Sequence, residues 1–169
     1  MIFSFNSQRS GDDTALNGIE LTCADGEVIT SLTGPWGTWG GRLTCQVGQF
    51  VKGAKIRDEA NQRGSDDTAA NGLKVVCTDN QVLSPGNGFW GSWSAMKVCP
   101  KGYVVYGIRT SVERKQGRGD DTALNRVAFL CRERGKDMSK VLLIHRCLQT
   151  WNKMNKTMKV FLFQISHLS

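Results

Sequence analysis

Three stretches of the chain alternate apolar with other residues at a period of two: Ile19, Leu21, Cys23; Leu73, Val75, Cys77; and Val127, Phe129, Cys131. Successive side chains of a strand point to opposite faces, so each stretch predicts a half-buried strand. Val104, Tyr106, Ile108, Thr110 and Val112 carry the same alternation through a longer strand. Gly and Asn clusters punctuate these segments, and no convincing amphipathic helix precedes residue 131. A small sheet cannot bury its apolar face alone. Three of them are expected to pack around a common axis in an all-β body.

The strands repeat every 54 residues, and so does much else. Gly11-Asp12-Asp13-Thr14-Ala15-Leu16-Asn17 returns as Ser65-Asp66-Asp67-Thr68-Ala69-Ala70-Asn71 and as Gly119-Asp120-Asp121-Thr122-Ala123-Leu124-Asn125. Cys45 and Cys99 keep the offset, as do Gly34-Pro35-Trp36-Gly37-Thr38-Trp39 and Gly88-Phe89-Trp90-Gly91-Ser92-Trp93. No third copy of the Trp motif follows. Ile144-His145-Arg146-Cys147 stands in its place, and Lys153 stands where a third equivalent of Cys45 belongs. A complete threefold array needs about 162 residues, so a body ending at residue 131 is short on its N-terminal side.

Composition alters this picture in one respect. Of 169 residues, 40% are hydrophobic and 22% charged, close to globular averages, and no apolar run is long enough for a membrane-spanning helix. The formal charge of +7 suggests an anionic partner such as nucleic acid. Residues 132–169 hold eight basic and two acidic residues, whereas residues 1–131 hold 14 and 13. Eighteen of 19 glycines lie in the first segment. The chain therefore divides into a Gly-rich, nearly neutral body (1–131) and a basic tail (132–169), and a nucleic-acid partner is not expected of the body.

The tail has three readings. Val141, Ile144, Leu148, Trp151, Met154, Met158, Phe161 and Ile165 step by three or four, as in a basic amphipathic helix. Val160-Phe161-Leu162-Phe163 equally suits a strand covering an incomplete sheet. The third reading is a read-through sequence with no selected role. Asn155-Lys156-Thr157 is the single glycosylation sequon.

Little in the chain points to catalysis or a cofactor. Zinc is disfavoured because there is no C-x-x-C pair and both histidines, His145 and His167, lie in the tail. A calcium loop from Asp12 needs Gly at its sixth position and Glu at its twelfth, where Asn17 and Cys23 stand. The Asp and Asn side chains better suit backbone N–H groups in a tight turn. A glycosidase needs one carboxylate dyad, not three copies of adjacent Asp. Gly86-Asn87-Gly88-Phe89-Trp90-Gly91 spells a dinucleotide-binding pattern without the strand–helix unit that gives it meaning. The tryptophan pairs Trp36/Trp39 and Trp90/Trp93 suit either stacking on sugar rings or plugging a Gly-lined corner of the fold. The cysteines allow two pairings that respect the repeat: Cys45–Cys77 with Cys99–Cys131, or Cys23–Cys45 with Cys77–Cys99.

The three (G/S)-D-D-T-A-x-N copies, each leading into a strand that ends in Cys, and the G-x-W-G-x-W motif resemble the vitelline membrane outer layer protein 1 family over residues 4–131. Cys99-Pro100-Lys101-Gly102 before the long strand fits the same pattern. The resemblance implies a β-prism of three Greek-key sheets with pseudo-threefold symmetry, the first incomplete. It also implies the pairing Cys45–Cys77 and Cys99–Cys131, which leaves Cys23 unpartnered. Its functional implication is a secreted structural component of an extracellular coat or mucosal matrix, acting by rigid packing and glycoprotein association. The alternative is a carbohydrate-binding, lectin-like protein with Trp36, Trp39, Trp90 and Trp93 on the sugar, or a weak glycosyl-transferring enzyme on chito-oligosaccharides. With no nucleophile or His-based relay in the body, an enzyme is not expected. Met1–Phe5 lacks the basic and apolar regions of a signal peptide, so a secreted protein is expected to have lost its N-terminus here.

Overall fold

The computed structural model describes residues 1–5, 16–34, 37–58, 70–85, 90–112, 124–135 and 159–164. These form twelve strands and no helix. They are β1 (Ile2–Phe5), β2 (Leu16–Thr22), β3 (Val28–Thr30), β4 (Thr38–Trp39), β5 (Val51–Asp58), β6 (Ala70–Cys77), β7 (Val82–Leu83), β8 (Ser92–Trp93), β9 (Lys97–Val98), β10 (Tyr103–Val112), β11 (Leu124–Glu133) and β12 (Lys159–Gln164). Three antiparallel sheets result: β3-β2-β1-β4, β7-β6-β5-β8 with β9 also on β5, and β10-β11-β12. The all-β body expected from the repeat is found, and its three sheets are consistent with the β-prism that the family resemblance implies.

The alternating strands meet in one core. Leu16, Ala70 and Leu124 are buried at equivalent positions, as are Ile19, Leu73 and Val127, and then Leu21, Val75 and Phe129. All nine belong to a single hydrophobic cluster, so each layer takes one side chain from each sheet. Within the last layer the large Phe129 faces the smaller Leu21 and Val75, which keeps the layer filled. Burying each large apolar side chain contributes roughly 1.5–3 kcal/mol.

The irregularities repeat as faithfully as the strands. Pairing shifts between Ser4 and Phe5 on β1, between Arg57 and Asp58 on β5, and between Ser111 and Val112 on β10. The residues passed over on the partner strands are Asn17, Asn71 and Asn125. The Asn ending each Asp-Asp motif thus stands at a β-bulge inside a strand, not in a turn, and Asn17 and Asn71 are fully buried. The Asp-Asp turns themselves lie outside the described residues. Hairpins β2–β3 and β6–β7 turn alike through Gly26 (φ 88°) and Asn80 (φ 73°), left-handed positions that Gly and Asn tolerate best. Asp25 and Asp79 each accept a 3.0 Å hydrogen bond from the backbone N–H two residues on. Gly53 is needed for another reason. A Cβ there would lie 2.5 Å from the Lys97 carbonyl oxygen, so only glycine lets β9 approach β5.

Two expectations need correction. The alternation from Val104 to Val112 does not keep one face, because the register shifts between Val105 and Gly107. The extra residue at this bulge rotates the strand, so Val105, Ile108 and Val112 pack against the core. The tail is not helical over residues 159–164. There it is the strand β12, antiparallel to β11, with Phe129 opposite Phe161 and Ala128 opposite Leu162. Backbone groups along the edge of β11 need partners, and the β-branched and aromatic residues Val160, Phe161 and Phe163 favour an extended chain. The other tail residues beyond 135, with the sequon and both histidines, lie outside the described residues.

β1 has four residues where β5 has eight, so the first sheet has the shorter leading strand. It still closes. The Met1 ammonium donates to the Leu43 carbonyl at 2.8 Å, and Leu43 N–H donates back to Met1 at 2.9 Å, where β9 pairs with β5 in the second sheet. Burial, aided by the nearby positive charge of Arg42, lowers the pKa of this ammonium, against the opposing pull of Glu20.

Candidate functional site

Cys45–Cys77 and Cys99–Cys131 are disulfides, with Cα atoms 5.9 and 5.7 Å apart. Each fastens the segment entering a sheet to a strand of that same sheet: Cys45 precedes β5 and Cys77 ends β6, while Cys99 precedes β10 and Cys131 lies in β11. Cys23 was expected to lack a partner, but it too is disulfide-bonded. Cys147 lies outside the described residues. Arg134 adds a clasp between sheets. Its guanidinium donates to the Gly48 carbonyl at 3.2 Å and lies 5.2 Å from the centre of the Phe50 ring.

The tryptophans do not share one role. Trp39 is 44% exposed and Trp90 57% exposed, so neither plugs a corner of the fold. Trp93 is half-buried on the outer face of the second sheet. It pairs with Arg57 across β8 and β5, and its ring lies 5.2 Å from the Lys55 ammonium and 4.6 Å from that of Lys74. Trp36 lies outside the described residues.

Lys55 and Lys74 face each other directly across β5 and β6. Like charges at this spacing destabilise a strand pair, and the indole offsets the cost because its negative face attracts both ammoniums. Neither lysine forms an ion pair among the described residues; Lys52, on the same strand as Lys55, donates a hydrogen bond to Asn80 Oδ1 at 2.6 Å. Arg57 donates through Nε to the Gly91 carbonyl at 3.0 Å, holding the Trp motif against β5. The equivalent pairs elsewhere are Ile2 with Glu20 and Arg109 with Ala128. Among the described residues, paired ammoniums beside a tryptophan therefore occur on the second sheet alone. Sequence reading singled out Trp93 but missed both lysines, because only the strand register shows that they face one another.

Elsewhere, burial raises the pKa of the Tyr106 phenol, partly offset by Arg132. Among the described residues, no group of three or more His, Cys, Asp or Glu is placed to hold a metal ion. No helix among them is long and apolar enough to cross a membrane.

Comparison with known proteins agrees with this geometry. Residues 3–83 and 80–157 match the family model described as vitelline membrane outer layer protein I. The second match runs beyond residue 131 into the tail. The vitelline membrane outer layer protein 1 homolog of Homo sapiens is 42% identical over 130 residues, which cover 72% of this chain and 62% of that protein. The homolog of Mus musculus is 38% identical over 130 residues, covering 72% of this chain and 63% of that protein. The chain thus spans less than two thirds of the length of these relatives.

Proposed function

Since the chain belongs to the vitelline membrane outer layer protein I family, we propose that it is a secreted structural component of an extracellular coat or mucosal matrix. It works by rigidity and by association with glycoproteins, not by turnover. The observation that carries this reading is the joining of three sheets through one shared core, with a disulfide tying the segment that enters the second sheet and the segment that enters the third to the sheet each one leads into. Each such bridge contributes roughly 2–4 kcal/mol, largely by restricting the unfolded chain. Disulfides persist in oxidising surroundings, which supports an extracellular setting.

The exposed Trp39 and Trp90 favour a second reading, a lectin-like protein that stacks sugar rings on its surface. A glycosyl-transferring role finds no comparable support.

The test is fractionation of the tissue that makes the protein, with thiols blocked before lysis. The expected result is recovery with insoluble extracellular glycoprotein, with Cys45–Cys77 and Cys99–Cys131 intact on unreduced peptide mapping. Recovery as a reduced intracellular protein overturns the proposal.

A further inference from the structure

The nearly neutral body conceals an uneven distribution of charge among its sheets. The strands of the second sheet carry Lys52, Lys55, Arg57, Lys74 and Lys97 against a single acid, Asp58. Those of the first sheet carry one charged residue, Glu20. In a threefold scaffold, a costly feature found on one sheet only is not required by the fold. The facing pair Lys55 and Lys74 is such a feature, because it places two ammoniums, without a carboxylate partner among the described residues, beside the flat ring of Trp93.

We propose that this outer face of the second sheet binds the carboxylated sugar of an acidic glycan, through Lys55, Lys74 and Trp93. The chemistry of the face is divided as that ligand requires. Two ammoniums offer charge-assisted hydrogen bonds to one carboxylate. The indole offers an apolar plane to the C–H face of a pyranose ring, and the exposed Trp90 lies in the motif that Arg57 holds against the same sheet. Because the charges lie on paired strands, they are positioned without ordering a loop, which lowers the entropic cost of binding. The inference deepens the matrix reading above and rests on it: it names the class of glycan and the face that meets it.

Calorimetric titration of the oxidised protein tests this, using a hexasaccharide of alternating glucuronate and N-acetylglucosamine. Neutral chito-hexasaccharide serves as the control of equal length. The expected result is saturable binding of the acidic sugar that weakens with added salt, with no comparable binding of the neutral one. The double variant Lys55→Gln/Lys74→Gln should lose about tenfold in affinity, the scale of two exposed charge contacts. Lys55→Arg/Lys74→Arg should keep most of it. An unchanged melting temperature in each variant shows that the sheet itself is intact. Equal binding of the neutral sugar, undiminished binding by the Gln variant, or equally tight binding of double-stranded DNA overturns the proposal. If the acidic hexasaccharide fails to bind while the protein still fractionates with extracellular glycoprotein, this inference fails alone and the matrix reading stands.

Discussion

The second and third sheets solve one problem with different material. In the second, β6 receives β7 from a short hairpin, with Val75 opposite Leu83. In the third, β11 receives β12 from the far end of the chain, with Phe129 opposite Phe161. The period would have put that partner at residue 137, yet β12 takes the same register on the same side of the central strand. The acceptor edge, set by the repeat, decides where a strand goes. The donor needs only an extended backbone and a tolerable pattern of side chains.

The largest expected effect tests the core that both sheets share. Phe129→Ala should cost about 3–5 kcal/mol in chemical denaturation, whereas Val75→Ala in the same layer should cost about 2 kcal/mol. Equal losses would mean that the layer is not filled by one large and two smaller side chains. A smaller effect bears on the borrowed strand. Leu162→Pro removes a backbone donor from β12 and should destabilise the third sheet by about 1–3 kcal/mol. Hydrogen exchange should then accelerate along β11 but not along β6. Unaltered protection of β11 would show that β12 contributes nothing to the edge it occupies.

The smallest effect is a pH dependence local to the third sheet. The Tyr106 phenol has a raised pKa when folded, so the unfolded phenol ionises first as pH climbs. Its contribution is complete below the ordinary tyrosine range and is lost as pH rises through the folded value. Thermal melts across the alkaline range should show this loss, and Tyr106→Phe should remove that part of it. A variant with the same alkaline profile as the parent would assign the loss to other groups.

Much of this architecture was readable in the sequence because it is periodic. Ile19, Leu73 and Val127 announce both a strand and its equivalents, and the cysteine spacing, with the family resemblance, gives the two bridges found. What escaped was local geometry that side-chain alternation does not show, even where it repeats, as at the shifts passing over Lys52 and Tyr106. Nothing in the letters from Val104 to Val112 marks Tyr106 as the residue of a bulge. A hydrophobic run at 160–163 gives no hint of which edge it will meet, since pairing is chosen by distant backbone groups. The site was half legible: Trp93 draws attention as an aromatic in a motif, but Lys55 and Lys74 read as ordinary solvated charges until register sets them face to face. Cys23 was expected to be unpartnered and is disulfide-bonded.

The late arrival of β12 also has a consequence for the order of folding. The hairpins β2–β3 and β6–β7 close over a few residues, soon after those segments are synthesised, and at little entropic cost. β11 can acquire its outer neighbour only after residues 159–164 are made, at a much larger sequence separation. Contacts of that sequence separation form slowly. For that interval a nascent chain presents an open edge of β11, an edge that a second copy can also fill. The yield of monomer should therefore depend on how dilute the chain is until residues 159–164 have emerged.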